Sequence, residues 1–187
     1  MRHNTAIHLL GASGSGTTSV GRELERLSGI QHLDTDSFYW QDSFVPYSQP
    51  RPESDRKKLL LEALPESGAW ILSGSLCGWG DFLIPRFNLV IWLIVDQNLR
   101  MERLRKRETE RYGSAIYPGG NMWQKSQIFL NWAEAYDSDV EVSRSAQKHA
   151  DWLKKITCPV FIVPNNDSFE ETVNVIMGIL GTHTGDT

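Results

Sequence analysis

Cysteine is scarce in this sequence. Cys77 and Cys158 are the only two in 187 residues. They stand far apart and outside any metal or redox spacing, which excludes a disulfide framework and leads to the expectation of a reduced, cytoplasmic chain. Long apolar runs are missing as well. No stretch approaches the ~20 apolar residues of a membrane span. The first apolar run, residues 6–10, follows polar residues and is too short for a secretory leader. Positive charge is not in excess: Lys and Arg total 19 against 23 Asp and Glu, a net charge of −4. That balance speaks against general affinity for nucleic acid or an anionic membrane. Repeats, low-complexity tracts and linkers are absent, so residues 1–187 are read as one domain, long enough to bury a proper core. Aromatic residues are not scarce. There are seven Trp, several in polar segments, which suggests an aromatic-lined cleft as well as a core.

The chain is organised around Gly11-Ala12-Ser13-Gly14-Ser15-Gly16-Thr17-Thr18. An apolar run leads in and a helical pattern leads out, so the stretch reads as strand, glycine-rich loop, helix. In that context the glycines let backbone N–H groups ring a phosphate, and the helix N-terminus faces the same anion. The spacing matches G-x-x-x-x-G-K-[ST] at every fixed position but one. Thr17 stands where the pattern has lysine, and Thr18 where a hydroxyl meets Mg²⁺. The plain alternative is a glycine-rich turn.

A short second strand, residues 30–33, runs into Asp34-Thr35-Asp36. Two carboxylates two residues apart at a strand end either hold a metal and accept a substrate proton, or cap the next turn. Residues 41–52 contain Pro46, Pro50 and Pro52 and read as an aromatic loop. A helix is expected over 53–64. Arg51 and Arg56 are candidates for gripping an anionic or polar substrate, since a guanidinium holds planar oxyanions at two points. A third strand over 70–74 ends in Ser75-Leu76-Cys77-Gly78-Trp79. Here Gly74, Ser75 and Trp79 form either one wall of a substrate pocket or a plain turn. Residues 89–95 are apolar without alternation, as in a strand buried on both faces of a parallel sheet.

The next helix, 98–108, carries arginine on more than one face. Arginines brought over a transferred phosphoryl group stabilise its charge. Arg100, Arg105 and Lys106 are read as solvated surface. Residues 111–120 look like a hinged loop of a mobile lid. Two helices are expected within 122–155, where Arg144 and His149 receive no role. A last strand over 158–163 leads to Asn165 and Asn166, which have the groups to meet a nucleotide base but are also routine turn residues. Ser168 and Glu171 form a capping box for a closing helix to Gly181, and the tail beyond is expected to fray.

This order of motifs resembles the small P-loop kinases: nucleoside monophosphate kinases, shikimate kinase and gluconate kinase. It is especially similar to bacterial adenylate-kinase-like P-loop ATPases with the same Gly-Thr-Thr loop. The resemblance implies a three-layer α/β fold, with a five-stranded parallel sheet, helices on both faces and a small helical lid near 108–125. It implies ATP with Mg²⁺ and phosphoryl transfer to a small-molecule acceptor. Residues Gly11 to Thr18 would bind the phosphates, with Thr18 and Asp34 on the metal. Asp36 and Asp34 would face the substrate with Gly74 and Ser75. Arg103, Arg107 and Arg111 would act as lid arginines in place of the missing lysine. The monophosphate-kinase signature after the third strand is absent. A non-catalytic nucleotide- or phosphometabolite-binding module is the second reading.

Overall fold

The apolar runs without alternation become strands covered on both faces. In the computed structural model, which describes residues 5–138 and 141–184, five parallel strands form one sheet in the order β2-β3-β1-β4-β5. The strands are β1 (Ala6–Gly11), β2 (Gln31–Asp34), β3 (Trp70–Ser73), β4 (Leu89–Ile94) and β5 (Val160–Pro164). The three inner strands are rich in Ile, Leu and Val. The edge strand β5 exposes Ile162 and ends in a proline that an inner strand would not tolerate.

Two cores flank the sheet. On one face α1 (Thr17–Ser28) and α7 (Phe169–Thr184) bury Val20, Leu24, Val173, Ile176 and Leu180 against Ile7, Leu9, Ile71 and Ile91. On the other, α3 (Glu53–Ala63) and α6 (Ala146–Leu153) press Leu60 and Trp152 onto Leu10, Leu72 and Val90. The short α2 (Thr35–Tyr39) follows β2. A third, smaller cluster joins α4 (Gln97–Tyr112) to α5 (Trp123–Glu134) through Met101, Leu104 and Ala133.

Several boundaries differ from expectation. Helix α4 continues through Arg111, which was expected in a loop. Its end is set by Gly113, whose φ of 56° breaks the helical geometry. Helix α7 runs past Gly178 and Gly181 to Thr184 because its buried stripe of Val173, Ile176 and Leu180 carries it across both glycines. The frayed tail was expected to reach Thr187, and residues 185–187 lie outside the described residues. The capping box forms: Ser168 Oγ accepts from the Glu171 N–H at 3.1 Å, and Glu171 accepts from the Ser168 N–H at 3.2 Å. Among the described residues no helix is long and apolar enough to cross a membrane.

Candidate active site

Parallel register brings the strand ends together. Leu9 lies beside Ser73, Ser73 beside Asp34, and Gly11 beside Leu93. The glycine-rich loop, the Asp34–Asp36 segment and the Gly74–Ser75 turn therefore share one edge of the sheet, the C-terminal edge at which parallel α/β folds bind ligands.

The loop needs its glycines. Gly14 and Gly16 have φ of 84° and 89°, a conformation that side chains strain. A Cβ on Gly14 would meet the Arg100 carbonyl at 2.9 Å. Four of the loop's carbonyls are held by hydrogen bonds. Ala12 accepts from the Ser15 N–H at 3.0 Å, and Gly16 from the Val20 N–H at 2.9 Å. Ser13 accepts from the Arg100 guanidinium at 3.2 Å, and Ser15 from the Asn165 side-chain amide at 2.8 Å. Among the described residues no group accepts from the N–H groups of Ser13, Gly14 or Gly16. The first-turn N–H groups of Thr17 and Thr18 have no intrahelical partner either. The result is a ring of free donors at a helix N-terminus, the arrangement that holds a phosphate. Thr17 is 8 % exposed and brings no charge to it.

Thr18 Oγ1 donates to Asp34 Oδ2 at 2.6 Å, and Asp34 Oδ1 accepts from the Asp36 N–H at 2.9 Å. Asp34 thus caps α2, one of the alternatives read from the sequence, and its other oxygen accepts from the loop hydroxyl. Asp36 is exposed to solvent, though protein crowds around its carboxylate. That enclosure and the Asp34 charge push its pKa up, while Arg144, Arg107 and a hydrogen bond with Trp40 pull it down. The charges of Arg107 and Arg144 thus act on Asp36, and Arg144 had no foreseen part.

The other arginines separate by role. Arg103 Nη2 donates to the Asn165 carbonyl at 3.0 Å, above the loop. Arg107 lies against the Phe129 ring, its pKa lowered by burial and by Arg111 and opposed by Glu108 and Asp36. Arg111 stacks on Tyr47, 4.6 Å from the ring centre. Arg56 covers the Tyr39 ring at 3.8 Å and donates to the Arg51 carbonyl at 2.6 Å, while Arg51 keeps a buried Nε without a partner.

Three side chains take places other than those foreseen. Trp79 does not line a pocket: it is 7 % exposed, packed in the core, and donates to the Ser75 carbonyl at 3.2 Å. Asn165 is buried, and both ends of its amide are used, Nδ2 on Ser15 and Oδ1 on Thr172. It holds the loop in shape. Arg100, expected on the surface, is 1 % exposed and also bonds the Ala133 carbonyl and Asp137. Arg100 shares a buried face of α4 with Leu104 and Glu108, which follow it at helical spacing.

Known proteins match this arrangement. The AAA_18 family model, described as an AAA domain, fits residues 7–122. The chain belongs to this family. Among relatives of this AAA_18 chain, the Uncharacterized protein YqaC of Bacillus subtilis (strain 168) is 41% identical over 177 residues, 95% of this chain and 98% of that one. A cytidylate kinase of Pyrococcus horikoshii is 30% identical over 113 residues, covering 54% of this chain and 57% of the kinase. This chain therefore matches only about half the length of that relative. In three dimensions, the shikimate kinase from Bacteroides thetaiotaomicron superposes with a TM-score of 0.54 at 15% identity, over 94% of this chain and 98% of the kinase. The chain has a kinase-like P-loop α/β fold, a five-stranded all-parallel sheet with helices around it.

Proposed function

We propose that this protein is a cytoplasmic, Mg²⁺-dependent phosphotransferase that moves the γ-phosphoryl group of ATP to a small polar metabolite or nucleotide. The observation that carries the reading is the Thr18–Asp34 bond of 2.6 Å beside a ring of unpartnered loop N–H groups. A hydroxyl and a carboxylate oxygen fit Mg²⁺, which takes one or two protein oxygens and completes its shell with phosphates and water. Among the described residues no group of three or more His, Cys, Asp or Glu forms a protein cage, so Thr18 and Asp34 would hold the ion against the phosphates. Bound there, Mg²⁺ would neutralise charge on the phosphate oxygens.

The chain's own residues do the rest. The loop from Gly11 to Thr18 binds the donor phosphates. Asp36 orients the acceptor and, where that acceptor is a hydroxyl, takes its proton. The acceptor oxygen bonds to the γ-phosphorus in line as the bond to the bridging oxygen breaks, and ADP leaves. Arg103 and Arg107 supply the cations that Thr17 does not, and Arg144 faces the acceptor with Arg51. Residues 108–125 and Tyr47 close over the cleft and exclude water. Gly74 gives the acceptor turn its close approach to α2, since a Cβ there would strike the Thr35 hydroxyl. The neutral Thr17 favours the second reading, a module that binds nucleotide without turning it over.

A thermal-shift series with ATP, GTP and their diphosphates, each with and without Mg²⁺, separates the two. A ligand at ~100 times its dissociation constant adds about 2.7 kcal/mol of stability. Consumption of γ-phosphate is then followed with cytidine monophosphate and shikimate as trial acceptors. A Mg²⁺-dependent shift with turnover supports the kinase. A shift without turnover leaves the nucleotide-binding module, and no shift with any nucleotide removes the kinase and leaves only a phosphometabolite binder. Arg107→Ala is expected to cut turnover at least tenfold with nucleotide affinity nearly unchanged. Full activity in that variant would remove the arginine from the mechanism.

A further inference from the structure

His149, on α6, is fully buried and lies between two hydroxyls. Its Nε2 is 3.0 Å from Ser75 Oγ, in the turn after β3, and its Nδ1 is 2.8 Å from the Tyr136 hydroxyl. Ser75 and Tyr136 are buried as well. The geometry decides which way the protons point. The other polar neighbour of the phenol oxygen is the indole N–H of Trp92, which lies near it without making a bond of normal geometry and cannot accept a proton. The phenol's proton has one acceptor among the described residues, His149 Nδ1. Burial keeps the imidazole neutral, with a pKa of about 3, and the phenol protonated, with a pKa pushed up to about 12. A neutral imidazole that accepts at Nδ1 carries its hydrogen on Nε2, and that hydrogen points at Ser75 Oγ. Ser75 is therefore filled as an acceptor, and its own O–H is left to donate, with the Cys77 sulfur beside it only a weak acceptor.

The segment around Tyr136 is tied down independently. The Arg100 guanidinium covers the Tyr136 ring at 5.0 Å, bonds Asp137, and reaches the Ser13 carbonyl of the phosphate loop. Arg144 lies over the Trp132 ring, 5.6 Å from its centre, and its charge acts on Asp36, His149 and Cys77.

We infer that His149, held in its Nε2–H form by Tyr136, is a positioning residue that turns Ser75 into a hydrogen-bond donor, and that Ser75 gives that hydrogen bond to an anionic oxygen of the acceptor. The inference rests on the phosphoryl-transfer reading above for the word acceptor. The proton arrangement itself does not depend on it.

The test uses the full chain labelled with ¹⁵N-histidine, at neutral pH, saturated with MgADP so that the loop is occupied, and titrated with inorganic phosphate. Two-bond nitrogen–proton spectra report the tautomer. The expected results are a neutral His149 with its proton on Nε2, a shift of its signal on adding phosphate, and an apparent phosphate affinity about tenfold weaker in Ser75→Ala. Ser75→Thr, which keeps the hydroxyl, should restore that affinity. Tyr136→Phe, which keeps the ring over Arg100, should mix the tautomers and weaken phosphate in the same way. An Nδ1–H tautomer in the wild type overturns the inference. So does phosphate that leaves His149 unshifted, or that binds Ser75→Ala as tightly as wild type. A chain that binds no MgADP removes the phosphoryl-transfer reading alone, and the same titration without nucleotide still judges the histidine and serine.

Discussion

At Asp36 the proposed chemistry would work against stability. Its carboxylate is disfavoured by its enclosed position and by Asp34, so its folded-state pKa is above the unfolded value. Acid therefore relieves the fold at this position, and ionisation costs stability at neutral pH. Asp36→Asn is expected to raise the melting temperature at pH 7 while abolishing transfer to a hydroxyl acceptor. In the wild type, turnover should fall as pH drops through this raised value, an acid limb above that of an ordinary aspartate. A variant that melts lower than wild type at neutral pH would contradict the assignment of Asp36 as an electrostatically strained group.

At the scale of elements, α4 is the part whose role was least visible in the sequence. The glycine-rich loop, the five strands and the Ser168–Glu171 cap were legible because each depends on neighbours a few residues away. Arg100 was not, because its partners Ser13, Ala133 and Asp137 are distant in sequence, and an arginine in a basic helix ordinarily faces water. Asn165 was legible as a turn residue but not as the loop's outer brace, for the same reason. His149 needed the fold to bring α6 against the β3 turn. Trp79 misled in the other direction: its polar neighbours suggested a cleft, yet its indole packs under the turn that carries it. Arg100→Met keeps the volume but leaves two carbonyls without this donor and Asp137 without its cation. The expected loss is about 2 kcal/mol, below the figure for a fully buried pair because Asp137 is itself more than a third exposed. Urea denaturation gives the loss directly, and nucleotide affinity should weaken with it. Unchanged stability would mean that α4 does not brace the loop.

For the molecule as a whole, two buried imidazoles set the acid side of its stability. Burial lowers His8 to about 4 and His149 to about 3, while both titrate near 6.5 when unfolded. Below that value the unfolded chain binds two protons that the folded chain refuses. Stability is therefore expected to fall as pH drops from about 6.5 toward 4, by at most about 2.7 kcal/mol per pH unit from the pair. Asp36 works in the opposite sense and softens the slope. Urea midpoints at pH 7.5 and 5.5 would show the loss, and equal midpoints would mean that one or both rings gain a proton without unfolding.

Tyr47 is the one described residue other than glycine with positive φ, at 56°. Its ring meets Trp40 and the Arg111 guanidinium, and the neighbouring Pro46 carbonyl accepts from Lys125 at 3.3 Å. The aromatic loop is thus fastened to the helices across the cleft mouth by a cation on a ring and one hydrogen bond, at a residue whose backbone prefers another shape. Such a clasp releases as a unit. Once Arg111 lifts from the ring, the backbone at Tyr47 gains by relaxing and Lys125 loses its acceptor. On the proposed function, entry and exit of small molecules would follow a single opening event, and the rhythm of that event, more than the speed of bond making, would set the pace of the cycle.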